Sequence, residues 1–171
     1  MELLIPGLIL VALMVYASTR IKRSAARAFE AETVETDDIT LDKPEGFLNV
    51  LNLDPALALD IYSKEMGIGD AAEFRAARAE LRIYEQRTLD YAANAIREST
   101  KVMSEISEII GERKYGILEA ERNEKGTDFR EFYKIVEQDG RVFEFKIVLL
   151  DETNDEFKRK IETMFNSFML K

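Results

Sequence analysis

The residue types most often used for covalent and metal chemistry are missing from this chain, which has no Cys, no His and no Trp in 171 residues. That removes thiol nucleophiles, thiolate or imidazole zinc sites, His-ligated haem and the usual general base of a hydrolytic triad. What remains is Ser, Lys, Arg and carboxylate. The adjacent pair Ser63 and Lys64 offers a Ser/Lys nucleophile in composition only, because neighbours on a strand point to opposite faces. Carboxylate pairs for glycoside hydrolysis need a shared cleft at defined separation, and a chain with 33 acidic residues offers pairs everywhere without marking one. The acidic stretch Glu30, Glu32, Glu35, Asp37, Asp38, Asp42, Glu45 lacks the Asp-x-Asp-x-Asp-Gly spacing of a calcium loop. Gly67 and Gly69 lack the third glycine and helix start of a nucleotide fingerprint. No metal and no cofactor is expected, and the protein is not expected to be an enzyme.

One cluster has the chemistry of a binding surface. Arg78, Glu80 and Arg82 share one side of a segment of period two, with Arg75 just before it, so Arg75, Arg78 and Arg82 form a candidate partner face. The alternative is cross-strand ion pairing of these arginines with Asp60, Lys64 or Glu65. The net charge of −9 argues against general binding to nucleic acid.

Location is written in the first residues. No charge appears from residue 3 to 19, and Leu3, Leu4, Ile5, Leu8, Ile9, Leu10, Val11, Leu13, Met14, Val15 and Tyr16 make a nearly continuous apolar run. As a helix the run is about 25 Å long, a short span for a hydrocarbon core of about 30 Å. Arg20, Lys22, Arg23 and Arg27 follow it, suited to headgroup contact and to holding the C-terminal side in the cytoplasm by the positive-inside rule. A secretory signal would place its cations first. The expectation is an uncleaved single-pass anchor over residues 1–22 in a bacterial inner membrane, then a basic juxtamembrane segment and acidic linker over 23–43. A domain over 44–171 then lies on the cytoplasmic side; the alternative is an exported domain.

The elements that follow are short. Residues 46–51, 57–62 and 77–84 read as strands. Leu89, Ala92, Ala93, Ile96, Met103, Ile106 and Ile110 recur at three- and four-residue steps and predict one long amphipathic helix from Arg87 to near Gly111. Strands are expected at 115–122 and 129–137, and Asp139-Gly140 then supplies a tight hairpin turn. With Gln138 opposite Arg141, Val136 faces Phe143 and Phe132 faces Ile147, which places Phe143, Phe145 and Ile147 on one buried face. A last helix carries Phe157, Ile161, Met164, Phe165 and Phe168, capped by Thr153 or Asn154. The fold class is α+β: a largely antiparallel sheet of about six strands packed with two helices beyond the N-terminal one.

The hairpin over 129–150 with Asp139-Gly140-Arg141-Val142 at its turn, followed by Glu156-Phe157 and Met164-Phe165-Asn166-Ser167-Phe168, resembles the close of PsbP-like domains. These are α/β/α sandwiches, and similar sequences include DcrB-like bacterial lipoproteins and a eukaryotic Ran-binding factor. The resemblance implies non-catalytic work, in which the domain docks onto a larger complex and assists its assembly. It transfers no functional residue. The resulting expectation is a membrane-tethered domain that binds a protein partner as an accessory or assembly subunit of a membrane complex. The alternative is a small-ligand-binding or sensing domain, with a pocket between sheet and helices closed by Tyr62, Tyr84 or Tyr115.

Overall fold

The computed structural model describes residues 4–171 apart from 152 and 154, with only the backbone of residues 4–8. Its elements are helix α1 (Leu4–Arg27), strands β1 (Glu32–Glu35), β2 (Ile39–Lys43), β3 (Phe47–Asn49), β4 (Leu59–Ser63) and β5 (Ala77–Glu85), helix α2 (Leu89–Ser99), strands β6 (Lys101–Ile110), β7 (Arg113–Glu124), β8 (Thr127–Gln138) and β9 (Arg141–Leu150), helix α3 (Asp155–Ser167) and strand β10 (Met169–Leu170). Seven strands form one antiparallel sheet in the order β3-β4-β5-β9-β8-β7-β6, and β1-β2-β10 form a second. The α+β class holds. Among the described residues the strand count rises from about six to seven plus three, and the α-helices number three.

The centre of the sheet follows from turn chemistry. Asp139 and Gly140 have φ of 53° and 74°, and Lys125 and Gly126 have 54° and 83°. Paired positive φ values match the twist of the flanking strands and fix the register of a two-residue hairpin. Gln138 accordingly faces Arg141, Val136 faces Phe143 and Phe132 faces Ile147, as the sequence predicts. Phe143, Phe145 and Ile147 are buried against Phe157, Ile161, Met164 and Phe168, with Phe145 stacked on Phe168 at 4.7 Å. Of the two expected caps of α3, Asn154 lies outside the described residues, and Thr153 gives its hydroxyl to the Leu150 carbonyl.

The opposite face of the sheet carries α2 over one end only, where Leu89, Ala92, Ala93 and Ile96 meet Leu118, Ala120, Tyr133, Ile135 and Val142. Thr88 caps this helix through the Tyr91 N–H, and the Glu137 carboxylate accepts from Leu89 N at 2.7 Å. The expected six-turn helix stops here. Ser99 and Thr100 give their hydroxyls to Ala95 and Ile96 carbonyls, and Thr100 turns to extended φ and ψ. Residues 101–110 pair instead with β7, from Lys101 opposite Glu121 to Ile110 opposite Arg113. Met103, Ile106 and Ile110, read as a buried helical stripe, are more than half exposed on an edge strand.

The acidic stretch also differs from expectation. It forms β1 and β2, because Val34, Ile39 and Leu41 alternate inward while Glu32, Glu35 and Asp42 face solvent. Each buried aliphatic side chain stabilises the fold by about 1.5–3 kcal/mol, which exceeds the mutual repulsion of exposed carboxylates. The folded body therefore begins near residue 29 instead of 44.

Helix α1 leaves this body with every described side chain from Ile9 to Ala28 exposed. Among the described residues no helix is long and apolar enough to cross a membrane. Of the run read as an anchor, Leu3 lies outside the described residues and Leu4, Ile5 and Leu8 outside the described side chains, whereas Ile9, Leu10, Val11, Leu13, Met14, Val15 and Tyr16 are 53–66% exposed. The base of the helix is tied down by Lys43. Its buried Nζ donates to the carbonyls of Ala28 (3.1 Å), Glu30 (2.6 Å) and Phe47 (2.7 Å), and lies 3.4 Å from Glu32.

Candidate functional site

The arginines of the expected partner face lie beside the part of the sheet that α2 leaves open. Arg78 and Arg82 share that face, with Glu80 between them at 3.2 Å from each. Arg78 also makes two 2.9 Å bonds to the carboxylate of Asp60 on β4, which raise its pKa. Arg75 sits apart, donating to the carbonyls of Ser63 and Lys64 at 3.4 and 3.3 Å and stacking 4.5 Å over the Tyr62 ring. The alternative of ion pairing with Asp60 is thus present in the structure, while Lys64 and Glu65 take no part. Ser63 is buried with its hydroxyl bonded to Glu65 O and Ala77 N, and Lys64 is exposed, so the two do not form a nucleophile and base.

The same face continues across β9, β8 and β7 with a group that sequence reasoning missed. Glu131 is fully buried and receives Arg122 Nε at 2.9 Å, Lys146 Nζ at 3.0 Å and the Tyr133 hydroxyl at 2.5 Å. Arg122 also pairs with Glu124. Burial pushes the Glu131 carboxyl up, but the Tyr133 hydrogen bond, the Lys146 charge and Arg122 together outweigh it and hold the group below the usual carboxylate range. Burial raises the Tyr133 hydroxyl in turn. Two residues along β9 from Lys146, Glu144 is also buried, with one hydrogen bond, from Tyr84 at 3.4 Å. Burial lifts its pKa, and the charges of Arg82 and Lys146 only partly oppose the rise. The alternation that buries Phe143, Phe145 and Ile147 already placed Glu144 and Lys146 on the other face, so this signal was available.

These groups form an open chain in which cations and carboxylates alternate from Asp60 to Glu124, leaving little net charge to hold a free ion. Glu144 is its weak member. An acid whose folded pKa is raised is destabilising once ionised, so its cost appears as pH rises through its unfolded value, about 4.3. Glu144→Gln is therefore expected to be more stable than the parent at pH 7 and equal to it below about pH 4, where both side chains are neutral. Urea midpoints across pH check this, and an unchanged or lowered midpoint at pH 7 contradicts it.

On the other face a cleft of about 280 Å³ opens between α3 and the sheet, with Phe132, Leu149, Ile161 and Phe165 among its lining and Arg130, Lys158 and Glu162 at its rim. Arg130 is partly engaged by Glu119 (3.6 Å) and Asp151 (3.3 Å). Tyr62, Tyr84 and Tyr115, expected to close such a pocket, do not line it. Among the described residues no group of carboxylates could hold a metal ion.

On α1, Tyr16, Thr19, Arg20, Arg23, Ser24 and Arg27 fall along one side at three- and four-residue steps, with Lys22 off that line. Arg20, Lys22, Arg23 and Arg27 form no ion pair with a described residue and lie within about two turns of the Lys43 joint.

An antiparallel sheet with α3 across one face and α2 over part of the other, built around the β8–β9 hairpin, is the PsbP-like fold. The chain is similar to the solution structure of cyanobacterial PsbP (CyanoP) from Synechocystis sp. PCC 6803, with a TM-score of 0.57 at 12% identity over 84% of this chain and 94% of that one. It is also similar to the crystal structure of LpqN, involved in cell envelope biogenesis of Mycobacterium tuberculosis, with a TM-score of 0.58 at 13% identity over 82% and 90%. The resemblance read from the C-terminal hairpin and helix thus extends over most of the chain. At these identities it speaks for the fold alone. No family profile and no curated protein sequence matches the chain.

Proposed function

We propose that the protein is a membrane-anchored, non-catalytic docking subunit. In this reading α1 and the residues before it hold the α+β body at the cytoplasmic face of a bacterial inner membrane, and the body binds a protein of a membrane complex. The observation that carries the reading is the exposed helix itself. Ile9 to Tyr16 are apolar and uncovered, four cations without an ion pair to any described residue follow, and Lys43 ties the helix base to the body. Such a helix in water exposes apolar surface that a bilayer would cover, and trailing cations near anionic headgroups add about 1 kcal/mol each. The charged face around Arg78 and Arg82 supports a protein partner over a small anion, because its carboxylates already neutralise its cations.

Membrane fractions from cells producing the full chain are expected to retain it after alkaline carbonate washing. Protease added to intact cells is expected to spare the body, and protease added to opened cells to digest it. Recovery in the soluble fraction, or digestion in intact cells, contradicts the anchor and its orientation respectively. Mild-detergent purification is expected to bring down one stoichiometric protein, and that association is expected to weaken when Arg78 and Arg82 are replaced by Glu. A second reading, a tethered small-ligand sensor, is favoured only by the cleft beside α3. A metabolite that raises the melting temperature of the parent but not of Phe165→Glu would move the assignment there.

A further inference from the structure

Strand β6 is one edge of the seven-stranded sheet, paired on one side with β7. It presents Met103, Ile106, Ile109 and Ile110 at 52–72% exposure, with Ile117 of β7 next to Ile106 in the register. Ten residues of unpaired edge with this much apolar surface are a template for another strand. The order of side chains along the edge says which strand.

From Val102 to Ile110 the sequence reads Val-Met-Ser-Glu-Ile-Ser-Glu-Ile-Ile. Its polarity is the same in both directions about Ile106: two apolar residues, two polar, one apolar, two polar, two apolar. Antiparallel pairing with an identical strand, centred on Ile106, places Ile106 against Ile106 of the second copy. Ser104 then lies against Glu108 and Glu105 against Ser107, so each carboxylate meets a hydroxyl donor. Outside these, a bulge turns Val102 to the face that packs against α2 while Ile110 stays on the Ile106 face, so the pairing rests on residues 104–108. Ile117 and Ile106 of each copy make one apolar row on a single face. The charge of Glu105 is already matched by Arg97 at the end of α2.

The neighbouring registers fail. Centring on Glu105 sets that carboxylate against itself, and centring on Ser107 sets Glu105 against Ile109 and Ile106 against Glu108. Like charges directly opposite are destabilising, and a carboxylate against an aliphatic side chain loses hydration without gaining a partner. The bulge between Val102 and Ser104 limits the new ladder to residues 104–108.

We infer that two copies of the chain pair through β6 about a twofold axis at Ile106, joining their sheets into one. The interface is isologous, so it closes at two copies and does not propagate. It stands whether or not α1 enters a bilayer, and it leaves the face around Arg78 and Arg82 open.

The absence of native cysteine makes the test direct. In full-length protein in detergent, single cysteines are placed at residues 104–108, with Ile68→Cys, on a loop away from the edge and more exposed than Ile106, as background. Directly opposed Cα atoms in an antiparallel pair are about 4.5–5.5 Å apart, within the range of a disulfide. Mild oxidation is expected to couple Ile106→Cys to itself most strongly, and mixed Ser104→Cys and Glu108→Cys chains to each other. Light scattering is expected to give twice the chain mass for the parent. Ile106→Glu, which sets two carboxylates against each other across the axis at an exposed position, is expected to weaken self-association roughly tenfold or more. Coupling no greater than Ile68→Cys, a maximum at another β6 position, or coupling in membranes chiefly to a different protein overturns the proposal.

Discussion

Replacing Lys43 by methionine is expected to destabilise the fold by about 3 kcal/mol and to loosen the base of α1. Methionine fills nearly the same volume, so no cavity is created. What is lost is the donor that the Ala28, Glu30 and Phe47 carbonyls share, a fully buried charge. Hydrogen bonds from a charged group contribute about 1.5–3 kcal/mol each, less than additively when they share one donor atom. Glu32 is half-exposed and 3.4 Å away, so Glu32→Gln is expected to cost under about 1 kcal/mol. Urea unfolding of the full chain in detergent reads the stability, and the rate of tryptic cleavage after Arg27 reads the loosening. A Lys43→Met variant within about 0.5 kcal/mol of the parent would show that the joint does not hold the helix.

The second large effect is at Glu131. Glu131→Ala takes away the ion-pair partner of Lys146 and leaves Arg122 with Glu124 alone, and the loss is expected to reach about 3–5 kcal/mol. Its pH signature separates charge from packing. The Glu131 pKa is lowered in the folded state, so its contribution is fully present above the unfolded value of about 4.3 and is lost as pH falls through the folded value. Glu131→Gln, which keeps the shape, is expected to lie below the parent at pH 7 and to approach it at low pH, opposite in sign to Glu144→Gln. A Glu131→Gln deficit that does not change with pH would assign the residue to packing alone.

The parts of this molecule legible in its sequence are those where one local signal settles the geometry. Asp139-Gly140 needs two positive φ values, and from that turn the whole β8–β9 register and its phenylalanine face follow. The long helix was misread because Met103, Ile106 and Ile110 sit at helical spacing for a reason unrelated to burial, on a strand whose two faces are both open. The hydroxyls of Ser99 and Thr100, which close α2, carry the competing signal. In residues 30–45 the density of carboxylates hid an alternation of only three apolar side chains, Val34, Ile39 and Leu41. The Glu131 network was the least accessible, since its members come from three strands and meet only once their register is known.

The strand order carries a kinetic consequence. Strands β6, β7, β8 and β9 follow one another through short turns, so each can zip onto the one before it with little loop entropy lost. Strand β5 must instead pair with β9 across all the intervening chain, from Ala77 opposite Leu149 to Glu85 opposite Arg141. The four-stranded meander is therefore expected to form first, and the arrival of β3, β4 and β5 to be the late event. Until it happens the flank of β9 is a second open edge, and a newly made chain is most exposed to misassembly during that interval.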